Sequence, residues 1–178
     1  MMNKGLEVIE ASYLFGLDES LIEVIVHPES ALHSMVRFID GSVLAQLGEA
    51  DMRTPIANAL AWPDRIDAGV PALDFVSLGS MHFEAPDTVR FPCLALARQA
   101  LQRGDGATAV LNAANEVAVE EFVNGRIGFT GISQVNAHAL QNFTHSVPRN
   151  IDELFRLDES ARQFALEYVH INMSSSAM

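Results

Sequence analysis

The sequence predicts an α+β chain, and three observations predict it. From residue 21 to 47 the apolar residues form short, dense, partly β-branched runs, and Asp40-Gly41 divides two of them. From Pro92 onward they recur at three- and four-residue intervals, the period of a helix. Between these parts, residues 63–91 carry Pro63, Gly69, Pro71, Gly79 and Pro86 with few periodic apolar positions. Sheet, irregular connector and helical bundle follow one another along the chain.

The first element is a helix. Asn3 suits its N-cap, Leu6, Ile9 and Tyr13 give it one apolar side, and Gly16 breaks it. Leu21 to Val26 reads as a buried strand stopped by Pro28. Met35–Ile39 and Ser42–Leu47 read as a hairpin, with both residues of Asp40-Gly41 at positive φ. The first helix is expected to cover one face of this sheet and to leave the other open. Thr54 as cap and Pro55 at the first helical position start a short helix, Ile56 to Ala61, which Trp62-Pro63 ends. A strand pair is expected near Phe75 and Phe83.

Pro92 opens a helix that Gly104 closes. The next runs from about Ala107 to Asn124, with Val110, Leu111, Ala114, Val117, Ala118 and Phe122 as its core stripe and Gly125 past its end. Thr130 caps a third, with Ile132, Val135 and Ala139 inward. Ile151, Leu154 and Phe155 mark a helical turn, and Asp158 caps a final helix bearing Ala161, Phe164, Ala165, Tyr168 and Val169. Short loops between amphipathic helices make a small bundle. The Ser174-Ser175-Ser176 tail is expected to be disordered.

Composition excludes several function classes. About half of the 178 residues are apolar, enough for a sizeable core, and the net charge is −12. That acidity disfavours a nucleic-acid surface and an anionic membrane. No apolar run reaches the roughly 18 residues of a membrane span, and no signal peptide is visible. The single cysteine, Cys93, fits a reducing compartment and reads as a small buried hydrophobe.

Chemistry concentrates at the first helical turn. Lys4 is electrostatically misplaced there, because a helix start already carries partial positive charge. Free backbone N–H groups, the Asn3 amide and the Lys4 ammonium together suit a phosphate, and Glu7 one turn on suits a divalent cation. The plainer alternative is a capped surface helix with a Lys–Glu pair. His33 at a strand entry suits a phosphate contact or proton transfer, or else a structural hydrogen bond. Asp51, Met52 and Arg53 lie on the loop leaving the sheet, as a site or as an Asp–Arg turn contact with Met52 filling a gap. Asn112, Asn115 and Glu116 read as packing between domains. His82, His138, His145 and His170 suggest no constellation.

Five stretches carry a resemblance. They are Asn-Lys-Gly-Leu-Glu-Val-Ile-Glu-Ala (3–11), His-Pro-Glu-Ser-Ala-Leu-His-Ser-Met-Val (27–36), Asp-Gly-Ser-Val-Leu-Ala-Gln-Leu-Gly (40–48), Asp-Met-Arg-Thr-Pro-Ile-Ala (51–57) and Leu-Asn-Ala-Ala-Asn-Glu (111–116). Collinear, they closely resemble the 1-deoxy-D-xylulose 5-phosphate reductoisomerase family. That family converts 1-deoxy-D-xylulose 5-phosphate to 2-C-methyl-D-erythritol 4-phosphate with NADPH, in non-mevalonate isoprenoid biosynthesis.

The resemblance implies roles. Asn3 and Lys4 would bind the substrate's phosphate end, Glu7 would be one carboxylate of a Mg²⁺ or Mn²⁺ site, and His33 and Met52 would lie near the substrate. It implies that residues 1–49 are the C-terminal part of an α/β catalytic domain, 50–88 a connector and 89–178 a C-terminal helical bundle domain. It covers only the family's C-terminal portion: the NADPH-binding domain, the other metal carboxylates and the lid have no counterpart here. Ala50 stands where the family usually has Pro. A cytoplasmic homodimer is implied for the full-length protein, with the N-terminal half as partner. The chain alone is not expected to catalyse. The competing expectation is a non-catalytic helical interaction module that keeps the family scaffold.

Overall fold

The structure, a computed structural model, describes residues 1–172. The tail for which disorder is expected, Ser174 to Ser176, lies outside the described residues. In chain order the elements are α1 (Met2–Phe15), β1 (Leu32–Arg37), β2 (Val43–Leu47), α2 (Arg53–Ala61), α3 (Phe75–Leu78), α4 (Cys93–Arg103), α5 (Ala107–Val123), α6 (Phe129–Asn142) and α7 (Ile151–Asn172). They form two compact units. One is Met1–Val24 with the chain from Asp87 onward, and the other is Ile25–Pro86.

The first unit is helical. α5 packs against both α6 and α7, and α1 packs against α4. Ala113, Ala114 and Ala118 of α5 meet Ala161 and Ala165 of α7 in one core, so small side chains let these helices approach closely. Val110, Val135, Leu157 and Val169 fill the space around them. A second core joins Met2 and Ile9 of α1 to Ala97 and Ala100 of α4, Leu111 of α5 and Leu140 of α6. The helix expected to cover the sheet instead spends its apolar side inside this helical unit. Gly5 permits it: a Cβ there would stand 2.6 Å from the Cβ of Ala97.

Helix boundaries follow the predicted glycines more closely than the predicted caps. α1 ends at Gly16 in the left-handed region (φ 62), and α4 runs from just after Pro92 to Gly104. Asn3, however, lies inside α1, after Met1 and Met2. Thr130 lies inside α6, whose first flanking residue is Gly128. Asp158 caps nothing, because α7 is one helix through residue 158 and Asp158 pairs with Arg162 one turn on. The helix begins at Asn150 instead, whose side-chain oxygen accepts the Glu153 N–H (2.9 Å) while Glu153 accepts the Arg149 N–H (2.8 Å). Asn150 thus caps the first turn, and Glu153 reaches back to the residue ahead of the cap, a variant of the capping box. Phe122 is half exposed at the rim of the α5 stripe.

Leu21 to Val26 is not a strand. Asp18 accepts the Ser20 N–H and winds Glu19–Leu21 into a 3-10 turn. The Arg98 guanidinium then bonds the Glu19 carboxylate and the Ile22 carbonyl (2.7 Å), taking an acceptor that a ladder would need. A single antiparallel β-bridge, Val26 to Glu84, is the strand-like pairing that remains among the described residues of this stretch.

The second unit holds the hairpin. β1 and β2 pair antiparallel, from Leu32 opposite Leu47 to Arg37 opposite Val43. The turn is longer than the expected two-residue form. The Phe38 N–H donates to Ser42 (2.9 Å), the Gly41 N–H donates to Phe38 (3.0 Å), and only Gly41 has positive φ, 86°. This is the three-residue loop with a left-handed glycine. Near residue 53 the expected Thr54 cap is replaced by Asp51, whose carboxylate accepts the Arg53 N–H (2.8 Å). Phe75 is helical rather than extended, because Asp74 accepts the N–H groups of Val76 and Ser77 and caps α3. Among the described residues no helix is long and apolar enough to cross a membrane.

Candidate functional site

The start of α1 brings Asn3, Lys4 and Glu7 together. Helical spacing places residues 3, 4 and 7 on one face. The Asn3 amide donates to Glu7 Oε1 (2.6 Å), and the Lys4 ammonium meets Glu7 Oε2 (2.5 Å). The first intrahelical bond is the Gly5 N–H to the Met1 carbonyl (3.0 Å), so the amides ahead of it are outside the ladder. Lys4 and Glu7 are each about half exposed. Their mutual pairing answers the electrostatic conflict of a cation at a helix start, because Glu7 lies within reach of both the ammonium and the positive helix end.

What this corner can do follows from its donors. An ammonium, a carboxamide N–H and helix-start amides suit a phosphate. A carboxylate suits Mg²⁺ or Mn²⁺, which take oxygen ligands. Glu7 fits as one such ligand. Among the described residues no three His, Cys, Asp or Glu side chains are grouped to hold a metal, so the oxygens of Glu7 are this corner's contribution to such a site. Buried Val8 and Ile9 and the Gly5–Ala97 contact fix the helix that carries the three residues.

His33 and Met52 belong to the second unit. His33 falls where the β1–β2 register shifts, between Leu32 and Ser34, and its Nε2 lies 3.1 Å from the Gly48 carbonyl. A bulge re-aims the side chain it carries. Met52 is 71% exposed just ahead of α2, so it fills no gap. Beside it, hydrogen bonds from Arg53 hold the Asp51 carboxyl below its usual range, and Arg53 also ties down the Gly69 carbonyl (3.1 Å). The Asp–Arg turn contact is therefore real, and it presents Met52 outward.

Other residues sort differently from expectation. Asn115 accepts from Asn136 of α6 (3.1 Å), Asn112 donates to Glu116 (3.0 Å), and Glu116 pairs with Arg162 of α7 (2.7 Å). They pack within one unit, not between domains. Cys93 is half-buried against the α1–α4 core, and burial pushes its thiol up. His82 is not isolated. Its Nδ1 lies 2.5 Å from Glu29 Oε1, its N–H donates to Glu29 Oε2 (3.1 Å), and Glu29 Oε2 also lies 3.0 Å from Nδ1 of buried His27. The hydrogen bonds from His82 hold the Glu29 carboxyl down at about 2. Sequence reading missed this cluster, because its members lie 53 residues apart.

Comparison with known proteins shows the family. Residues 47–164 match the family model described as the DXP reductoisomerase C-terminal domain. The chain is 57% identical over 166 residues to the 1-deoxy-D-xylulose 5-phosphate reductoisomerase of Laribacter hongkongensis, covering 93% of this chain and 43% of that protein. It is 52% identical to the one from Janthinobacterium sp., covering 95% of this chain and 43% of that protein. Among solved structures, the Zymomonas mobilis reductoisomerase in complex with NADPH superposes with a TM-score of 0.91 at 46% identity, covering 95% of this chain and 45% of that one. A reductoisomerase in complex with NADPH, fosmidomycin and magnesium superposes with a TM-score of 0.92 at 44% identity, covering 96% of this chain and 44% of that one. The chain thus spans less than half the length of these relatives, and it belongs to the DXP reductoisomerase family, matching that family's C-terminal domain.

Proposed function

We propose that this chain supplies part of the active site of an NADPH-dependent reductoisomerase that converts 1-deoxy-D-xylulose 5-phosphate to 2-C-methyl-D-erythritol 4-phosphate. The observation that carries the reading is the meeting of Asn3, Lys4 and Glu7 on one turn of α1. Asn3 and Lys4 bind the substrate's phosphate, and that remote binding energy orients the reacting carbons. Glu7 is released as they do so. A phosphate that draws the Lys4 ammonium and the Asn3 amide would free the Glu7 carboxylate, which would help to hold a divalent cation. When bound, that cation supplies Lewis-acid polarisation of the substrate's oxygens. On the family resemblance, His33 and Met52 are also assigned to substrate binding.

The hydride comes from NADPH. This chain offers no glycine-rich turn after a strand to cradle a pyrophosphate, so its own residues act on substrate and metal. On this reading residues 1–49 complete the catalytic domain, 50–88 connect, and 89–178 form the bundle domain of a cytoplasmic homodimer.

The test is co-expression with the preceding part of a family member, followed by NADPH oxidation with substrate and Mn²⁺. Activity that needs both pieces and falls in Glu7→Gln is expected. Turnover by this chain alone, or full activity of the complemented Glu7→Gln variant, would overturn these roles.

A further inference from the structure

α4 holds α1 at two points. At the first, Gly5 lies so close to α4 that a Cβ there would stand 2.6 Å from the Ala97 Cβ. At the second, the next residue of α4, Arg98, takes hold of the chain just after α1 has ended. Its guanidinium bonds the Glu19 carboxylate, the Glu19 carbonyl (3.3 Å) and the Ile22 carbonyl (2.7 Å). Gln102, one turn further along α4, donates to the other Glu19 carboxylate oxygen (2.9 Å). The ion pair is largely out of water, with the Arg98 side chain 26% exposed and that of Glu19 15%. All of these residues belong to the helical unit.

Packing alone does not fix the attitude of α1. Its buried residues, Met2, Gly5, Val8 and Ile9, lie toward its start, whereas Tyr13, Leu14 and Phe15 stand 67% to 78% exposed. A glycine against an alanine brings two helices close but offers no side-chain ridge to lock them against sliding or turning. The stiff part is the exit. The Ser12 hydroxyl donates to the Leu17 carbonyl (2.7 Å), the Leu17 N–H donates to the Ser12 carbonyl (3.1 Å), and the Asp18 carboxylate caps the 3-10 turn at Glu19–Leu21. Whatever holds Glu19 and Ile22 therefore holds the end of α1. Arginine suits the task, because its planar fork reaches several acceptors at once, where lysine presents a point charge.

We infer that Arg98 is a positioning residue for the Asn3–Lys4–Glu7 corner: with Glu19 it locks the exit of α1 to α4, and so sets the angle at which α1 presents those three side chains. The inference rests on the proposed function in taking that corner as the place where phosphate and metal bind. A phosphate held at one end orients the reacting carbons only if its anchors stand still, and small displacements are felt in the rate.

The experiment uses the chain complemented as above, with Arg98→Met, Arg98→Lys and the double variant Arg98→Met/Glu19→Gln. The double variant removes the clasp without leaving the Glu19 charge unpaired, so it carries the test if Arg98→Met does not fold. KM for 1-deoxy-D-xylulose 5-phosphate and the Mn²⁺ concentration for half-maximal rate are each expected to rise roughly tenfold, with KM for NADPH unchanged and Arg98→Lys falling between wild type and Arg98→Met. In the chain alone, amide hydrogen exchange of residues 8–15 should quicken in the Arg98→Met and double variants. A purely structural role has a different signature: fewer active molecules lower kcat and leave all three constants alone. That result, or exchange in α1 equal to wild type, overturns the inference. If the Arg98 variants raise both constants while Lys4→Ala and Glu7→Gln change neither, Arg98 positions α1 as inferred and the roles proposed for Lys4 and Glu7 fail. If the complemented wild type turns nothing over, the proposed function fails, and the exchange measurement by itself decides the inference.

Discussion

Lys4 stands where a helix start least favours a cation, and Glu7 holds it there. An exposed pair at this spacing contributes only about 0.2–0.5 kcal/mol, so stability alone gives weak reason for the arrangement. In the complemented enzyme, Lys4→Ala should raise KM for the sugar phosphate, and Glu7→Gln should lower kcat; steady-state kinetics separate the two. Gly5 is a different kind of residue. Alanine there gains roughly 1 kcal/mol of helix propensity. Its Cβ would also stand 2.6 Å from the Ala97 Cβ, which is fixed to the α4 backbone and cannot swing away. Overpacking of that kind costs about 1–3 kcal/mol, so Gly5→Ala should lower the thermal midpoint. Glu29 gives a pH dependence. Its folded value, about 2, lies below its usual 4.5, so its stabilisation is complete above pH 4.5 and lost as pH falls toward 2. Glu29→Gln should flatten the acid-side stability curve of the second unit over that window, read by chemical denaturation at a series of pH values. None of the sequence around Glu29 announces His82, which the Val26–Glu84 bridge and the His27 contact to the His82 carbonyl bring beside it.

Elements whose boundaries are set by neighbouring residues were legible, and those set by distant ones were not. Pro92 and Gly104 bound α4 as read, and Asp40-Gly41 marks the turn of the hairpin, because proline and glycine act on their own backbone. The Asn3–Lys4–Glu7 corner was legible for the same reason: its spacing is one helical turn. Leu21 to Val26 reads as strand in isolation, and the residue that captures its carbonyl, Arg98, lies 76 positions away from Ile22. The displaced register at His33 is a property of two strands together and has no signature in one. α7 is a different lesson. Asn150 and Glu153 spell this variant of the capping box in plain sequence, yet Asp158 was the more conspicuous acid before an apolar stripe. Asn150→Ala should therefore destabilise the helical unit by about 1 kcal/mol, whereas Asp158→Ala removes only a helix-side contact to Arg162. Thermal unfolding of both variants would distinguish one long helix from a break at 158. The same core assignments bear on whether residues 88–172 fold alone. Their α5–α6–α7 core is self-contained, but Met2 and Ile9 cover α4. Burying such side chains is worth about 1.5–3 kcal/mol each, so the segment should unfold cooperatively but at a lower temperature than when α1 is present.

At the scale of the whole molecule, the two units differ in how well they are covered. The helical unit owns both buried cores, whereas the hairpin unit buries little beyond Ala31. Val36, Val43 and Leu44 are each about half exposed or more, and α2 and its neighbours leave Leu60, Trp62 and Phe75 largely in water. A two-stranded ribbon is marginal in water without further strands or a helix on its face. Its outer edges also present unpaired N–H and C=O groups, a template for another strand. The net charge of −12 opposes association at long range, but at physiological salt it is screened beyond about 8 Å, while apolar contact acts at closer range. Attraction should therefore win as salt rises. The 178-residue chain should self-associate in a concentration-dependent manner, more at 0.5 M than at 0.05 M salt, and Leu44→Lys with Val36→Lys should suppress it. Size-exclusion chromatography with light scattering reads the mass directly. A compact monomer at high protein concentration and high salt would mean that the hairpin unit protects its own faces, and the account of its exposed apolar surface would fail.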